Sequence, residues 1–331
     1  MTSAIEARVL EKSYPPDVKA LDGVSFTVPE GTVFGLLGPN GAGKSTTVKI
    51  LTTLSAAESG GAAVAGFDVV RSQDDVRRAI GVVAQSSGVD GDLTGRENLL
   101  LQGRIHGIPR GELNARSDQL LAQFGLDEAA DRVASGYSGG MQRRLDIAVA
   151  LIHRPRVLFL DEPTTGLDPE VRAQMWTEIS RLSHDEGLTI LLTTHYLEEA
   201  DQLASQLAII DRGKVVAEGS PEGLKGELEG DAIHVELREG VNGRAPAALD
   251  GVAGVREVKV DGQVLRARVA DGATAVPVVL AALDAGKVPV ASVTVSRPSL
   301  DDVYLRYAGR AFSAADEQAN RNNNDESKEE S

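Results

Sequence analysis

The chain has 331 residues, 42% of them hydrophobic, which is enough for two domains with sizeable cores. It contains no cysteine, so disulfides, thiolate metal sites and thiol catalysis are excluded. The formal net charge of −15 disfavours a broad nucleic-acid surface, because phosphate backbones are bound by clustered Lys and Arg, and we expect no nucleic-acid partner. We also find no signal-peptide pattern and no run of about eighteen uncharged apolar residues, so we expect no membrane span.

Residues 1–220 alternate short apolar runs with helical patterns, which is typical of an α/β domain with a largely parallel sheet. A buried strand at residues 32–37 is followed by a helix at residues 44–54. Residues 86–137 have a helical pattern, which we interpret as a helical subdomain inserted in the sheet domain. Four further apolar runs predict buried strands, at residues 79–84, 157–160, 188–193 and 207–211.

A second domain is predicted for residues 221–312, after the boundary at Ser220 and Pro221. Its elements follow the order β-α-β-β-α-β, which predicts a small α+β domain of the ferredoxin-like type. The strands are predicted at residues 232–237, 255–260, 264–269 and 288–295, and the helices at residues 245–250 and 274–284. The polar and charged sequence of residues 313–331 predicts a disordered tail.

A last helix is predicted after Pro298, where four apolar residues recur at helical spacing: Leu300, Val303, Tyr304 and Tyr307. This pattern predicts an apolar face packed on the second domain or on a second subunit. Asp301 and Asp302 are then expected in solvent, and the alternative is that they contact a membrane partner. The second domain shows no catalytic motif, so we expect it to support assembly or regulation.

The sequence GPNGAGKS at residues 38–45 matches the phosphate-binding pattern G-x-x-x-x-G-K-[ST] and lies between a predicted strand and a predicted helix. Glycines let the backbone turn its N–H groups around phosphate oxygens, and the helix adds its positive N-terminal end. Lys44 is expected to reach the β- and γ-phosphates, and the Ser45 hydroxyl to coordinate Mg²⁺. The residues assigned to nucleotide binding in this loop are Gly38, Pro39, Asn40, Gly41, Ala42, Gly43, Lys44, Ser45 and Thr46.

Polar residues follow three other predicted strands, at the sheet edge where ligands bind in open α/β folds. Asp161 and Glu162 end the run VLFLDE; Asp161 is suited to hold Mg²⁺ and Glu162 to polarise an attacking water. His195 ends LTILLTTH and could donate to a γ-phosphate oxygen. Gln85 follows AIGVVA and could sense Mg²⁺ and the γ-phosphate. The alternative for His195 and for Gln85 is an ordinary polar strand end.

The order of these motifs resembles the ATP-binding subunits of ABC transporters over residues 4–225. The residues that carry the resemblance are the loop at 38–45, Gln85, SGGMQR at 138–143, DEP at 161–163, GLD at 166–168 and His195. The resemblance implies a P-loop NTPase fold with an ABC helical subdomain, ATPase activity, and ATP and Mg²⁺ as cofactors.

The resemblance also implies partners. Three residues at the start of a helix would bind the γ-phosphate of ATP held by a second copy, so that a homodimer forms when ATP binds: Ser138, Gly139 and Gly140. Asp168 would cross that interface, and Tyr14 would stack on adenine. Gln85 leads into the segment with which the family contacts a separate integral-membrane permease, and this places the subunit at the cytoplasmic face of the membrane.

Two residues depart from the family pattern, since Tyr137 replaces the usual Leu and Met141 the usual Gln. Backbone N–H groups and Ser138 do most of the phosphate binding, so we expect function to survive. The segments THYLEEAD at residues 194–201 and PSLDDVYLRYAG at residues 298–309 are similar to drug-export subunits of the daunorubicin-resistance type. The alternatives are a motor for export of a lipid, polysaccharide or ion, and a non-transport ABC ATPase.

Overall fold

The computed structural model describes residues 3–16, 18–228, 230–238 and 244–316. It divides into two compact units, Met1–Ser220 and Pro221–Ser331.

The elements of the first unit are, in chain order, β1 (Ser3–Tyr14), β2 (Val18–Pro29), β3 (Val33–Leu37), α1 (Lys44–Leu51), β4 (Ser59–Val64), β5 (Phe67–Asp68), α2 (Gln73–Ala79), β6 (Ile80–Val83), α3 (Gly95–Ile105), α4 (Arg110–Gln123), a 3₁₀ turn (Ala134–Gly136), α5 (Gly139–Ala150), β7 (Val157–Asp161), α6 (Pro169–His184), β8 (Thr189–Thr194), α7 (Leu197–Leu203), β9 (Gln206–Asp211) and β10 (Lys214–Gly219). Those of the second unit are α8 (Pro221–Gly226), β11 (Asp231–Leu237), α9 (Arg244–Leu249), β12 (Val255–Asp261), β13 (Val264–Val269), α10 (Gly272–Ala285), β14 (Val290–Ser296) and α11 (Leu300–Ala308).

The main sheet of the first unit has the strand order β10-β9-β3-β8-β7-β6. All of its pairs are parallel except β9 with β10. Strands β3 and β8 are buried along their whole length, as is typical of parallel sheets covered on both faces. This confirms the predicted α/β fold, and it brings the carboxyl ends of β3, β6, β7 and β8 to one edge of the sheet.

A second, antiparallel sheet with the order β2-β1-β4-β5 was not predicted from the sequence. Its long strands β1 and β2 are paired with several register shifts, and Val9 in β1 has a φ of 49°. In β1 these irregularities interrupt the alternation of buried and exposed residues that marks a strand. The sheet packs on the main one, where the ring of Phe26 stacks on that of Phe34 at 5.3 Å.

The segment between β6 and α5 contains α3, α4 and the 3₁₀ turn, as its helical pattern predicted. Helix α3 begins with a capping box, in which the Thr94 hydroxyl accepts from the Glu97 amide and the Glu97 carboxylate accepts from the Thr94 amide. Apolar residues of α3 and α4, with Leu99 and Leu120 among them, share one core with residues of α5 and the main sheet.

The second unit has a sheet of order β12-β13-β11-β14, antiparallel throughout. Helices α9 and α10 cover one face, where Leu249 and Leu283 pack against Ile233, Val235 and Leu265. The order and pairing confirm the predicted ferredoxin-like α+β fold.

Helix α11 corrects two sequence expectations. Tyr307, predicted on the packed apolar face, is 41% exposed, and its hydroxyl donates to the Glu227 carboxylate. The apolar residues Val303 and Tyr304 of this helix are buried as predicted, but the two aspartates are not in solvent. Asp302 is 8% exposed and caps the helix, accepting from the Ser299 amide at 2.9 Å, while Asp301 pairs with Arg266. A carboxylate in the first turn complements the helix N-terminus, and the apolar spacing alone does not reveal this.

The disordered tail was predicted to start at residue 313, and this start is too early. Residues 312–316 are helical, and the ring of Phe312 lies edge-on to that of Tyr304 at 4.8 Å. Residues 317–331 lie outside the described part of the chain. Within the described ranges, no helix is long and apolar enough to span a bilayer.

Candidate active site

The loop between β3 and α1 has glycines where a side chain would not fit. A Cβ on Gly38 would lie 2.3 Å from the Ile210 carbonyl oxygen, and one on Gly43 would lie 2.6 Å from that of Ala20. Gly43 also has a φ of 110°, and it precedes α1 without a side-chain cap. The N-terminal end of α1 therefore follows directly on the glycine loop, where its positive dipole end favours an anion.

Lys44, the first residue of α1, is 4% exposed and extends back across this loop. Its Nζ donates to the carbonyl oxygens of Gly38 at 2.8 Å and Pro39 at 3.1 Å, and lies 3.4 Å from Glu162 Oε1. The ammonium is thus held between the loop and the acidic end of β7.

Ser45 and Asp161 bring hard oxygen atoms together at the edge of the sheet. The Ser45 hydroxyl donates to Asp161 Oδ1 at 3.3 Å, and the Thr193 hydroxyl donates to the same carboxylate oxygen. Hydroxyl and carboxylate oxygens are the ligands that Mg²⁺ prefers. The residues present therefore fit a magnesium ion that is bound together with phosphate oxygens.

Glu162 follows β7 and is 8% exposed, with its backbone at a φ of 48°. Its amide donates to the Thr193 carbonyl oxygen at 3.2 Å and to the hydroxyl of the same residue at 3.0 Å. The Gln85 amide group and the Thr165 hydroxyl donate to Oε2 at 3.4 and 3.3 Å, and His195 Nδ1 lies 3.2 Å from Oε1. Neighbours on several elements thus fix one carboxylate.

Burial by itself raises the pKa of the Glu162 carboxyl, but the adjacent His195 ring and the positive charge of Lys44 lower it by more. The net pKa is below the ordinary value for glutamate. Glu162 is therefore a carboxylate at neutral pH and can orient a water and accept its proton.

The structure brings six of the sequence-assigned residues to this edge: Lys44, Ser45, Gln85, Asp161, Glu162 and His195. Parallel pairing of β3, β6, β7 and β8 explains this convergence, because each of these residues lies at the carboxyl end of one of these strands or in the segment after it.

The other assigned residues are held by local contacts. The Ser138 hydroxyl caps α5 by accepting from the Met141 amide at 3.3 Å, and Asp168 caps α6 by accepting from the Val171 amide at 3.0 Å. A Cβ on Gly140 would lie 2.6 Å from Val171 Cγ1, so α5 and α6 touch at this glycine. Tyr14 ends β1 with 37% of its surface exposed.

Tyr137, one of the two departures from the family pattern, is a core residue. It is 6% exposed, and its hydroxyl donates to the Ala129 carbonyl oxygen at 2.7 Å. The Arg132 guanidinium lies 5.2 Å from its ring centroid and also donates to Met141 Sδ at 3.3 Å. Both unusual side chains thus contact Arg132 next to the start of α5.

Arg143 on α5 was not singled out from the sequence, although it lies in the SGGMQR motif. It is 7% exposed, and its guanidinium donates to the carbonyl oxygens of Pro163 at 2.8 Å, Ala84 at 2.6 Å and Asp161 at 3.0 Å. One side chain therefore ties α5 to the ends of β6 and β7, and in this way sets the backbone that carries Gln85 and Glu162.

Asp146, one helical turn after Arg143, was also missed. It is 7% exposed, and its Oδ1 accepts from the Ser87 hydroxyl and from the Gly88 amide, both at 3.0 Å. Burial raises the pKa of Asp146, and the two hydrogen bonds lower it in part. The segment that follows Gln85 is thus fastened to α5.

Replacing Asp146 by alanine is expected to lower both thermal stability and ATPase rate. The change leaves two donors without an acceptor, at a cost of about 1–3 kcal/mol, and loosens the segment after Gln85. An asparagine side chain at the same position would keep an Oδ1 acceptor without a buried charge, so the Asp146→Asn variant is expected to stay near wild type. Steady-state ATPase and thermal unfolding of both variants test this. Equal losses in both would show that the charge, not the acceptor, matters.

Comparison with known proteins places this site in a family. The ABC transporter family model matches residues 21–165, and the model for the C-terminal domain of DrrA1-3-like ATP-binding proteins matches residues 219–308. The chain is 46% identical to daunorubicin resistance ATP-binding protein DrrA3 of Streptomyces coeruleorubidus, over 93% of this chain and 96% of that protein. It is 44% identical to daunorubicin/doxorubicin resistance ATP-binding protein DrrA of Streptomyces peucetius, over 93% of each chain.

A solved structure of an ATP-binding cassette, dimeric in a post-hydrolysis state with ADP and Pi, is 25% identical with a TM-score of 0.59, over 65% of this chain and 98% of that one. The glycine loop, the buried lysine and the acidic sheet edge define a nucleotide-binding enzyme of the P-loop class. Because the resistance ATP-binding proteins that are 44% and 46% identical to it each match 93% of its length, the chain belongs to the ATP-binding subunits of ABC transporters. It is therefore an ATPase.

Proposed function

We propose that this protein is the motor of an exporter for drug-like or antibiotic compounds, which cross the membrane through a separate permease subunit. The observation that carries the proposal is the 44–46% identity to ATP-binding proteins of daunorubicin and doxorubicin resistance. The likeness extends through the second unit, where the matching family model covers residues 219–308.

The nucleotide in this proposal is ATP with Mg²⁺. Residues 38–46 surround its phosphates, and Lys44 contributes the cation. Ser45, Gln85 and Asp161 hold the magnesium ion, supported by the 3.3 Å contact between Ser45 and Asp161. A bound Mg²⁺ neutralises charge on the phosphate oxygens.

Glu162 acts as the general base in this proposal. Its carboxylate is ionised, buried and held by several neighbours, so it can orient a water toward the γ-phosphate and accept its proton. His195, whose Nδ1 lies 3.2 Å from Glu162 Oε1, donates to the γ-phosphate.

A second copy of the chain completes the site in this proposal. Ser138, Gly139 and Gly140 present the N-terminal amides of α5 to the γ-phosphate bound by the partner copy, and Asp168 lies at the interface. Tyr14, exposed at the end of β1, stacks on adenine. The permease contacts the helical segment after Gln85, which places the complex at the cytoplasmic face of the membrane.

Transport in vesicles tests the exporter proposal. The chain is co-expressed with a candidate permease, and inverted vesicles are expected to accumulate doxorubicin only when ATP is supplied. Vesicles with the Glu162→Gln variant are the matched control and should not accumulate it. If an assembled, ATP-hydrolysing complex moves a lipid, a polysaccharide or an ion but no drug from a panel, the drug assignment is wrong.

A further inference from the structure

The residue that follows His195 is aromatic, and its ring packs against the histidine ring. The ring centroids of His195 and Tyr196 lie 4.1 Å apart, with the ring planes inclined by 42°. The Tyr196 amide donates to the Thr194 hydroxyl at 2.9 Å, which fixes the backbone at the point where β8 ends. Tyr196 therefore presents its ring to His195 from an anchored position beside the candidate active site.

The orientation of the His195 ring is not set by a hydrogen bond from its Nδ1 atom. That atom lies 3.2 Å from Glu162 Oε1, but it is buried and has no aligned hydrogen-bond partner among the described residues. The side chain is only 15% exposed, so its neighbours surround most of it. A ring turns about its side-chain dihedrals unless packing restricts it, and the contact with Tyr196 supplies such a restriction.

The Tyr196 ring is contacted in turn by a cation. The guanidinium carbon of Arg172, on α6, lies over this ring at 4.7 Å from its centroid. Arg172 Nη2 donates to the Leu167 carbonyl oxygen at 3.3 Å, which ties the guanidinium to the segment before α6. A cation at this distance is attracted by the negative face of an aromatic ring. Helix α6 thus contributes a side chain that holds the Tyr196 ring.

Helices α6 and α7 are fastened to each other at a second place. Glu199 of α7 is fully buried, and its Oε1 accepts from the Trp176 indole of α6 at 3.1 Å and from the Thr164 hydroxyl at 2.7 Å. Trp176 lies four residues after Arg172, so both side chains are on the same side of α6. The contact between Arg172 and Tyr196 therefore joins elements whose separation is already fixed.

We infer that Tyr196 is a positioning residue for His195 and that Arg172 holds the tyrosine ring in place. The inference rests on the proposed role of His195 as a donor to the γ-phosphate. Both residues act through the imidazole and not on the nucleotide. A misplacement of about 1 Å in a reacting geometry can cost about 10²-fold in rate, so the effect falls on turnover more than on ATP affinity.

Tyr196→Leu is expected to lower kcat for ATP hydrolysis about tenfold with little change in KM, because the imidazole is present but less well held. Tyr196→Phe keeps the ring contacts and should turn over near the wild-type rate. Arg172→Met should lower kcat about two- to fivefold, which corresponds to the loss of an ordinary cation–π contact. Arg181→Met is the matched control on α6, since Arg181 pairs with Glu178 and Glu186, and it should keep the wild-type kcat.

A His195→Ala background separates positioning from a general structural role. His195→Ala alone should slow hydrolysis at least as much as Tyr196→Leu does. Adding Tyr196→Leu to it should lower kcat no further, because the side chain that is positioned has gone. Phosphate release by the full-length chain over a range of Mg-ATP concentrations gives kcat and KM for each variant.

The inference is overturned if Tyr196→Leu hydrolyses ATP at the wild-type rate while His195→Ala is slow. It is also overturned if the two substitutions lower kcat independently in the double variant. Wild-type turnover by His195→Ala would instead show that the proposed role of His195 is wrong, and the inference would fail with it. If Tyr196→Leu does not fold, Arg172→Met with and without His195→Ala decides, and equal losses in both backgrounds reject the inference.

Discussion

Glu162→Gln is expected to slow ATP hydrolysis by about 10²–10⁴-fold while ATP still binds. Glutamine has nearly the same shape and can keep the contacts from Gln85 and Thr165, but it cannot accept a proton from water. ATP that is bound and not hydrolysed should hold two chains together. Phosphate release measures the first effect, and size-exclusion chromatography with ATP measures the second.

Glu170→Gln is the control for this substitution, because Glu170 is exposed in the first turn of α6. It should leave both measurements unchanged. Hydrolysis at the wild-type rate in a folded Glu162→Gln protein would show that another group accepts the proton, and the proposed role of Glu162 would be wrong.

Lys44→Ala is expected to weaken Mg-ATP binding by about 10–100-fold, since a hydrogen bond to a charged group contributes about 1.5–3 kcal/mol. The substitution also leaves the buried Glu162 carboxylate without the ammonium at 3.4 Å. Titration calorimetry with Mg-ATP measures the affinity directly, and hydrolysis should fall with it.

Lys49→Ala provides the comparison, because Lys49 lies on the same helix and is exposed. Its ATP affinity should equal that of the wild type. If the Lys44→Ala protein binds Mg-ATP as tightly as the wild type, the loop at residues 38–46 is not the phosphate site.

The sequence predicted the main sheet and the cluster at its edge because both follow from local patterns. Apolar runs of strand length end directly before Asp161, Glu162 and His195, and parallel pairing brings such ends together. The antiparallel sheet was missed although residues 24–28 of β2 alternate between buried and exposed side chains. Its partner β1 contains register shifts that interrupt the alternation, so the pairing was not recognised.

Arg143 and Asp146 could not be found in the same way. Each makes its contacts with segments about 18 to 59 residues away in sequence, and a charged residue on a helix usually faces solvent. The available signals were the SGGMQR motif, which contains Arg143, and the spacing of three, which places both residues on one face of α5. Asp302 was misjudged for a related reason, because a capping residue and a solvent-exposed one look alike in sequence.

The contact between α5 and α6 at Gly140 affects how genetic data on this family should be interpreted. A methyl group there would lie 2.6 Å from Val171 Cγ1, so a substitution at Gly140 forces Val171 or α6 to shift within a single chain. Loss of activity in a Gly140 allele therefore includes a packing effect between α5 and α6, and a Ser138 allele likewise removes the hydroxyl that caps α5. Second-site suppressors of a Gly140→Ala allele should be sought at Val171, where a smaller side chain makes room.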